Sequence, residues 1–436
     1  MIFVVLLSFV IWVYLILAHG RFWSSKPELP PAAPGELPEV DIVIPARDEA
    51  ETIGPVIASL LAQDYPGRFR IFLVDDNSTD GTAEKAGAAP NLTVIKGQPK
   101  AAGWSGKLWA LSQGIAASSA PVLLFADADI VHDRRHLSAL VARLLEPRAD
   151  MVSEMVRLNC VSLPERALVP AFVYFFQMLY PFARVNNPRS GVAAAAGGTV
   201  LIRREALERI GGIAAIRGAL IDDVTLAKAV KSAGPVPTSA TAPTSATAPT
   251  SATAPTSATT PTSATTPTSA TTPTSVTAPT SATTPILGAA PTSGASPTSA
   301  PAPRRAIYLG HSGLATSVRP YPHWADLWHM ITRTAFTQLR YSAVLLLLTL
   351  VGLTLVWLIP PWAILFGSGW ERAAGLATFI LAGLSYLPTL ARYRRSPLWA
   401  LALPLIATFY MAATLGSALN YWLGRGARWK SRAYGA

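Results

Sequence analysis

Residues 122–133 read VLLFADADIVHD, five apolar residues followed by two carboxylates one position apart, Asp127 and Asp129. The apolar run predicts a buried strand, and the acidic pair would stand at its carboxyl end. A strand that ends in a solvated turn shows the same pattern. The alternative is a site in which a hard cation such as Mg²⁺ or Mn²⁺ joins these carboxylates to a phosphate group. The surrounding sequence decides between the two interpretations.

Strand and helix patterns alternate around this stretch, from residue 40 to about residue 234. Strands are predicted at EVDIVIPA, RIFLVDD and LTVIKG, and helices at ETIGPVIASLLAQ and around residues 107–117. Such alternation predicts an α/β domain, a mostly parallel Rossmann-like sheet with helices on both faces. Ligands of these sheets bind at the carboxyl ends of strands. Four carboxylates fall at such ends: Asp75, Asp76, Asp127 and Asp129.

The composition favours a membrane partner over a nucleic acid. Half of the 436 residues are hydrophobic, and the formal charge is +11. Basic residues flank apolar segments, as at residues 392–395 and 425–432, instead of forming a run on a polar helix. This placement follows the positive-inside rule and suits anionic lipid, so we predict a lipid bilayer and no nucleic acid as partner. The single cysteine, Cys160, excludes a disulfide framework and a cysteine-rich zinc site.

Apolar segments at both ends of the chain predict transmembrane helices. Residues 1–20 are expected to be an uncleaved anchor with its C-terminal side in the cytoplasm, because basic residues follow it; a signal peptide is the alternative. Residues 343–424 are predicted to hold about three helices, with Pro360-Pro361 as a kink or an early end. One crossing separates two basic clusters that both favour the cytoplasm. Either the last stretch is a re-entrant hairpin, or the C-terminus departs from the rule.

Two further segments differ in composition from the α/β region. Residues 235–303 are an array of PTSATA hexapeptides and close variants, which cannot bury enough apolar surface to fold and is predicted to be disordered. An inert insertion is favoured over an O-glycosylated stalk, and the α/β domain then comprises residues 38–234 and 304–322. Residues 323–341 are predicted to form a helix in the membrane interface, with a core-packing helix as the alternative.

Acidic residues recur at four places that suit different chemistry. Glu49 lies in PARDE, and Asp75-Asp76 could accept hydrogen bonds from a nucleobase or from ribose hydroxyls. The pair at residues 127 and 129 could hold a metal and a diphosphate. Two successive acids at residues 222–223 exceed what a helix N-cap requires, and one could deprotonate a hydroxyl.

Six segments in order resemble the successive motifs of family 2 glycosyltransferases with the GT-A fold: VDIVIPARDEAETI, FLVDDNSTDGT, GWSGKLWAL, LLFADADI, GGTVLIRREAL and LIDDVTLAKAV. GWSGKLWAL, SVRPYP and RTAFTQLRYS are most similar to bacterial hopene-associated (hopanoid biosynthesis) glycosyltransferases. The resemblance covers about residues 38–234 and 304–345. It implies a GT-A catalytic domain that faces the cytoplasm from a multi-pass position in the bacterial inner membrane. An inverting transfer from a nucleotide-sugar, expected to be a UDP-sugar, to a membrane lipid such as a hopanoid follows, with Mg²⁺ or Mn²⁺ as cofactor.

The resemblance also implies roles for single residues. These are contacts to the nucleoside from Glu49, Asp75 and Asp76, to phosphate from Lys107, to the metal from Asp127 and Asp129, and proton removal by Asp223 beside Asp222. Gly198 and Thr199 would lie where the acceptor meets the sugar. Arg340 is expected to reach the diphosphate, although its segment QLRY departs from the Q-x-x-R-W of processive members. His311 is either a further metal ligand or, as we favour, a structural histidine.

Two other functions stay open at the level of sequence. A processive polysaccharide synthase would need a longer helical bundle and an intact Q-x-x-R-W motif. A surface binding protein with a mucin-like stalk would place the repeat outside the cell, although the segments flanking the repeat belong to the predicted catalytic domain.

Overall fold

The computed structural model describes residues 2–145, 149–234, 306–425, 427–429 and 432–434. The predicted repeat insertion at residues 235–303 lies outside these described residues, and its disorder stays a prediction.

A mostly parallel sheet forms the centre of the described structure. Nine strands build it: β1 (Glu28–Leu29), β2 (Val40–Ala46), β3 (Phe69–Asp75), β4 (Leu92–Lys96), β5 (Val122–Ala126), β6 (Ile130–His132), β7 (Met151–Arg157), β8 (Thr199–Arg203) and β9 (Ile307–Ser317). Their order is β1-β9-β7-β8-β5-β2-β3-β4, and β6 pairs with β9. β8 runs antiparallel to β5 and β7, and β6 runs antiparallel to β9. The predicted α/β class with a mostly parallel sheet is confirmed.

Helices cover both faces of this sheet, as predicted. The helices of the described residues, including those that lie beyond the sheet, are α1 (Ile2–Ala18), α2 (Ile53–Leu61), α3 (Thr82–Lys85), α4 (Gly106–Ala117), α5 (His136–Leu145), α6 (Leu163–Leu179), α7 (Phe182–Val185), α8 (Arg204–Arg209), α9 (Asp222–Ser232), α10 (Trp324–Thr332), α11 (Ala335–Gln338), α12 (Ala343–Leu353), α13 (Ile359–Phe366), α14 (Gly369–Arg392) and α15 (Leu403–Trp422). In β5, Leu123 packs with α4 and α6, whereas Leu124 packs with α2 and α5. Burial on both faces explains why this strand reads as a continuous apolar run instead of an alternating one.

Apolar helices long enough to span a membrane are present in the described residues. Four segments qualify by length and composition: 163–185, 343–366, 369–392 and 397–422. The N-terminal helix α1 is apolar but shorter, with 17 residues. The first of the four, which contains α6, was not predicted from the sequence. α6 packs between the sheet, where Gln177 contacts His311 of β9, and α14, where the hydroxyl oxygens of Tyr174 and Ser385 lie 2.6 Å apart.

The proline pair does not end its helix. A π-helical segment, Thr354–Leu358, precedes Pro360-Pro361, and α13 continues to Phe366. Proline has no N–H to donate to the carbonyl one turn earlier. Trp12 Nε1 of α1 instead donates to Val356 O at 2.9 Å, and Ser8 Oγ donates to Leu355 O at 2.6 Å. The N-terminal helix thereby satisfies carbonyls that the proline pair and the π segment leave open.

α15 starts halfway along α14 and ends beside the start of α12. Ala400, in the 3₁₀ segment before α15, lies against Gly383 in the middle of α14. At the other end, Tyr421 stacks on Tyr341 with ring centroids 4.5 Å apart. The start of α12 and the end of α14 lie on the same side of the bundle, next to the α/β domain: Gln338 before α12 contacts Tyr180, and Arg392 at the end of α14 contacts Glu28 of β1. Segment 397–422 therefore enters the bundle and returns to that side, the geometry of the re-entrant alternative.

Candidate active site

The acidic residues meet because parallel strands end at one edge of the sheet. Ala46 at the end of β2 pairs with Asp75 at the end of β3, and β5 runs parallel to β2 on its other side. This edge borders a cleft of about 390 Å³. The predicted residues in its lining are Glu49, Lys107, Asp127, Asp129 and Asp222.

Lys107 links two of the acidic groups. Its Nζ lies 2.8 Å from Asp127 Oδ1 and 3.2 Å from Asp222 Oδ2. Ser105 caps the helix that carries it, α4, by accepting a hydrogen bond from Leu108 N at 3.4 Å. Burial by itself would lower the pKa of Lys107, but the charges of Asp127 and Asp222 outweigh this effect and raise it. Lys107 is therefore a permanent cation in the cleft.

The carboxylates of Asp127 and Asp129 supply oxygen ligands of the type that Mg²⁺ and Mn²⁺ bind. The side chain of Asp127 is 34 % exposed, and burial raises its pKa although Lys107 opposes the shift. Asp129 Oδ2 accepts hydrogen bonds from Arg319 Nε at 2.8 Å and from Ser317 Oγ at 3.3 Å. No group of three or more His, Cys, Asp or Glu ligands occurs among the described residues. The site fits a cation that takes two protein carboxylates and completes its shell with substrate phosphate and water.

Asp222 and Asp223 begin α9 and differ in their surroundings. Asp222 faces the cleft and its carboxylate is held by Lys107. Asp223 borders a smaller adjoining cavity of about 20 Å³, where its Oδ1 accepts from Val224 N at 2.7 Å. Burial, and next the charge of Asp222, raise the pKa of Asp223 to about 7. A Cβ atom on Gly197 would come within 3.2 Å of Asp223 Oδ2, so the absent side chain leaves room beside this carboxylate.

Other predicted site residues lie away from the cleft lining. Asp76 is 1 % exposed, and Arg47 Nη1 donates to its carbonyl at 2.5 Å. Asp75 Oδ1 accepts from Ser78 N at 3.1 Å in the turn after β3. Thr199, which starts β8, is fully buried. Glu49 therefore lines the cleft, whereas Asp75 and Asp76 are not among its lining residues.

Arg340 and His311 are also separate from the cleft. Arg340 borders a second cavity of about 250 Å³, which shares Ala219 and Leu220 with the cleft. His311 is fully buried in β9, with its Nε2 3.0 Å from Gln177 Oε1. Burial, and to a smaller extent Arg392, lower the pKa of His311 to about 3. These surroundings are those of a structural histidine.

Sequence reasoning missed one whole wall of the cleft. Asp326, His329 and Met330 of α10 line it, as do Arg333 directly after α10 and Arg319 from the SVRPYP segment. Residues 326, 329, 330 and 333 follow the spacing i, i+3, i+4 and i+7, which marks one helical face. That face differs from the one that carries Leu327, which is buried against the helices. The signal was therefore in the sequence, but our interpretation used only the apolar face.

Comparison with known proteins adds a family assignment to this geometry. Residues 41–211 match the family model described as Glycosyl transferase family 2. The chain carries a family 2 glycosyltransferase domain. This match and the mostly parallel sheet agree with the GT-A fold class predicted from the motifs.

The chain is similar to curated proteins over part of their length. It is 28 % identical over 226 residues to a beta-monoglucosyldiacylglycerol synthase of Synechocystis sp., covering 47 % of this chain and 45 % of that protein. It is 27 % identical over 184 residues to a probable glycosyltransferase of Bacillus subtilis, covering 41 % of this chain and 43 % of that protein. The chain thus spans less than half the length of these relatives. A solved mannosyltransferase from Pyrobaculum calidifontis, in complex with GDP-Man and Mn²⁺, aligns over 95 % of this chain and 99 % of its own, with 18 % identity and a TM-score of 0.46.

Proposed function

We propose that this chain is a membrane-bound inverting glycosyltransferase that transfers a sugar from a nucleotide-diphosphate sugar to a hydroxyl of a membrane lipid. One observation carries the proposal: a single cleft collects Asp127, Asp129, Lys107 and Asp222 at the carboxyl edge of the sheet, with α10 as its opposite wall. α10 in turn packs on α15, so the cleft adjoins the apolar helices. A hopanoid is the acceptor that the sequence motifs suggest.

The donor would bind along the sheet edge. Glu49 would contact the nucleoside, with Asp75 and Asp76 holding the adjacent turn, and Lys107 would bind the diphosphate as a permanent cation. Asp127 and Asp129 would hold Mg²⁺ or Mn²⁺, which when bound neutralises charge on the leaving diphosphate.

Asp223 is the better base of the acidic pair. A general base works best with a pKa near the working pH and with a free lone pair towards the acceptor. The pKa of Asp223 is raised to about 7, whereas the carboxylate of Asp222 is held by Lys107 at 3.2 Å. Asp223 would remove the acceptor hydroxyl proton, and the oxygen would attack the anomeric carbon in line with the departing diphosphate. Asp222 would orient Lys107.

The acceptor would approach from the helices. The second cavity, which shares Ala219 and Leu220 with the cleft, is bordered by Arg340 and Tyr341 directly before α12. A lipid headgroup in this cavity would reach the cleft while its chain stays beside α12. Similarity to a protein named beta-monoglucosyldiacylglycerol synthase supports a lipid acceptor. Basic clusters at the ends of α14 and α15 support a cytoplasmic-membrane location with the domain in the cytoplasm.

Transfer of radiolabel from UDP- and GDP-sugars into lipid tests this proposal in membranes that contain the full chain. Wild type should label a lipid fraction, and Asp223→Asn should reduce labelling by about 10³-fold or more while the protein stays in the membrane. Asp133→Asn is the control, because Asp133 is bound by Arg135 outside the cleft. Mass analysis of the labelled lipid distinguishes a hopanoid from a diacylglycerol. Label in a polymer, or unchanged labelling by Asp223→Asn, would contradict the proposal.

A further inference from the structure

We infer that Arg319 is an exchangeable counter-ion: a metal ion displaces it from Asp129, and it then binds the diphosphate of the donor, so that metal and nucleotide bind cooperatively. The inference rests on the proposed function and assigns a role to SVRPYP, the motif that the proposed mechanism leaves unused.

Arg319 holds the metal side and the nucleoside side of the cleft together. Its Nε lies 2.8 Å from Asp129 Oδ2, and its Nη2 lies 2.5 Å from Glu49 Oε1. Its side chain is 30 % exposed and lines the cleft. Asp129 and Glu49 are more buried, at 12 % and 9 % of side-chain exposure. The arginine is thus the accessible member of this cluster.

The backbone that carries Arg319 is held in place, whereas the guanidinium group of its side chain can move. β6 pairs with β9 through Ile130 and Ser317, and Val318 N donates to the carbonyl of Asp129 at 2.9 Å. These backbone bonds tie the SVRPYP segment directly to the loop that carries Asp129. Rotation about the side-chain bonds can therefore carry the guanidinium from Asp129 into the cleft without moving either backbone.

Electrostatics decides which partner Arg319 takes. A divalent cation at Asp129 would stand within a few ångströms of the guanidinium, and the two positive charges repel each other. A diphosphate brought by the same cation offers oxygens that a guanidinium binds with two parallel hydrogen bonds. Bare metal must therefore displace Arg319 without compensation, whereas metal with nucleotide gives it a new partner. Each ligand then raises the affinity for the other by the same factor.

Direct binding measurements on the purified full chain in detergent test this coupling. Electron paramagnetic resonance of Mn²⁺ measures binding of the metal alone, and calorimetry measures UDP and GDP with and without Mn²⁺. Removal of the competitor in Arg319→Gln should tighten binding of Mn²⁺ alone by about three- to tenfold. The same variant should weaken binding of the nucleoside diphosphate in the presence of Mn²⁺ by about tenfold, because a charge-assisted pair is lost.

The two affinities should change in opposite directions, which separates this role from a structural one, since a damaged loop would weaken the binding of both ligands. Arg70→Gln is the matched control: it breaks an Arg–Asp pair with Asp41, with contacts of 2.9 and 2.8 Å, and should change neither affinity. If Arg319→Gln does not fold, Arg319→Lys replaces it. One ammonium cannot bridge Glu49 and Asp129 in the same way, so both shifts should persist with smaller factors.

The outcomes distinguish the inference from the function on which it rests. Wild type that binds Mn²⁺ and a nucleoside diphosphate, together with Arg319 variants that bind Mn²⁺ equally or more weakly, overturns the counter-ion role alone. Wild type that binds no nucleoside diphosphate with Mn²⁺ overturns the proposed function together with it.

Discussion

The fall of kcat/KM for sugar transfer at low pH, the acid limb of the pH profile, should depend on the pair formed by Asp222 and Asp223. Burial, and next the charge of Asp222, raise the pKa of Asp223 to about 7, while Lys107 opposes the shift. A base acts only when it is deprotonated, so kcat/KM should be level above this pKa and fall below it. At pH 6 we expect about a tenth of the plateau value.

Asp222→Asn removes the neighbouring negative charge and keeps an oxygen for Lys107. The pKa of Asp223 should fall by about one unit, because a like charge nearby disfavours the ionised form. The acid limb then moves to lower pH, and at pH 6 the variant should keep about half of its own plateau activity. Lys107→Gln should move the limb in the opposite direction, since Lys107 lowers the pKa of Asp223.

Measurement of kcat/KM between about pH 5.5 and 8.5, with each variant normalised to its own plateau, checks this reasoning independently of overall activity losses. Asp133→Asn serves as the control, and its limb should coincide with that of wild type. An Asp222→Asn limb that stays in place, or moves to higher pH, would show that another group controls the reaction.

Three further predictions concern packing and topology. Gly197→Ala should lower kcat by about tenfold with little change in the thermal unfolding temperature, because the added Cβ would lie 3.2 Å from Asp223 Oδ2. Gly191→Ala is the control and should leave kcat unchanged, because no atom lies within 4 Å of its added Cβ. Trp12→Phe should lower stability in detergent by about 1 kcal/mol, through loss of its hydrogen bond to the π segment, whereas Tyr14→Phe on the exposed face should not. A fluorescent protein fused after the last residue should fluoresce, and alkaline phosphatase fused at the same point should be inactive. Both results are expected because the last apolar segment returns to the cytoplasmic side, where it started. The reverse pattern would contradict the re-entrant geometry.

Sequence patterns predicted the elements that depend on local composition. The segments RIFLVDD and VLLFA became β3 and β5, and the helix around Lys107 became α4. β7 and α6 were missed. α6 is apolar around most of its circumference because one face packs on the sheet and another on α14. Composition cannot distinguish such a buried helix from a membrane span.

The candidate site was predicted as far as parallel strands dictate it. Strands that run side by side bring their carboxyl ends together, so Asp127 and Glu49 could be placed in one cleft from sequence order. The side chains that complete the cleft come from far along the chain. Arg319 reaches Asp129 across 190 positions, and Arg333 depends on the packing of α10.

The sequence by itself determined the α/β alternation, the acidic strand ends and the apolar character of the C-terminal segments, because each follows from local periodicity and hydropathy. Only the tertiary structure decided which carboxylate meets which cation. Lys107 holds Asp222 and leaves Asp223 in an adjoining cavity, a difference that two adjacent identical residues cannot express in sequence. It also decided that segment 397–422 runs from the middle of α14 back to the start of α12. The depth of a helix in a bundle depends on contacts between distant residues, whereas its hydropathy is the same in either arrangement.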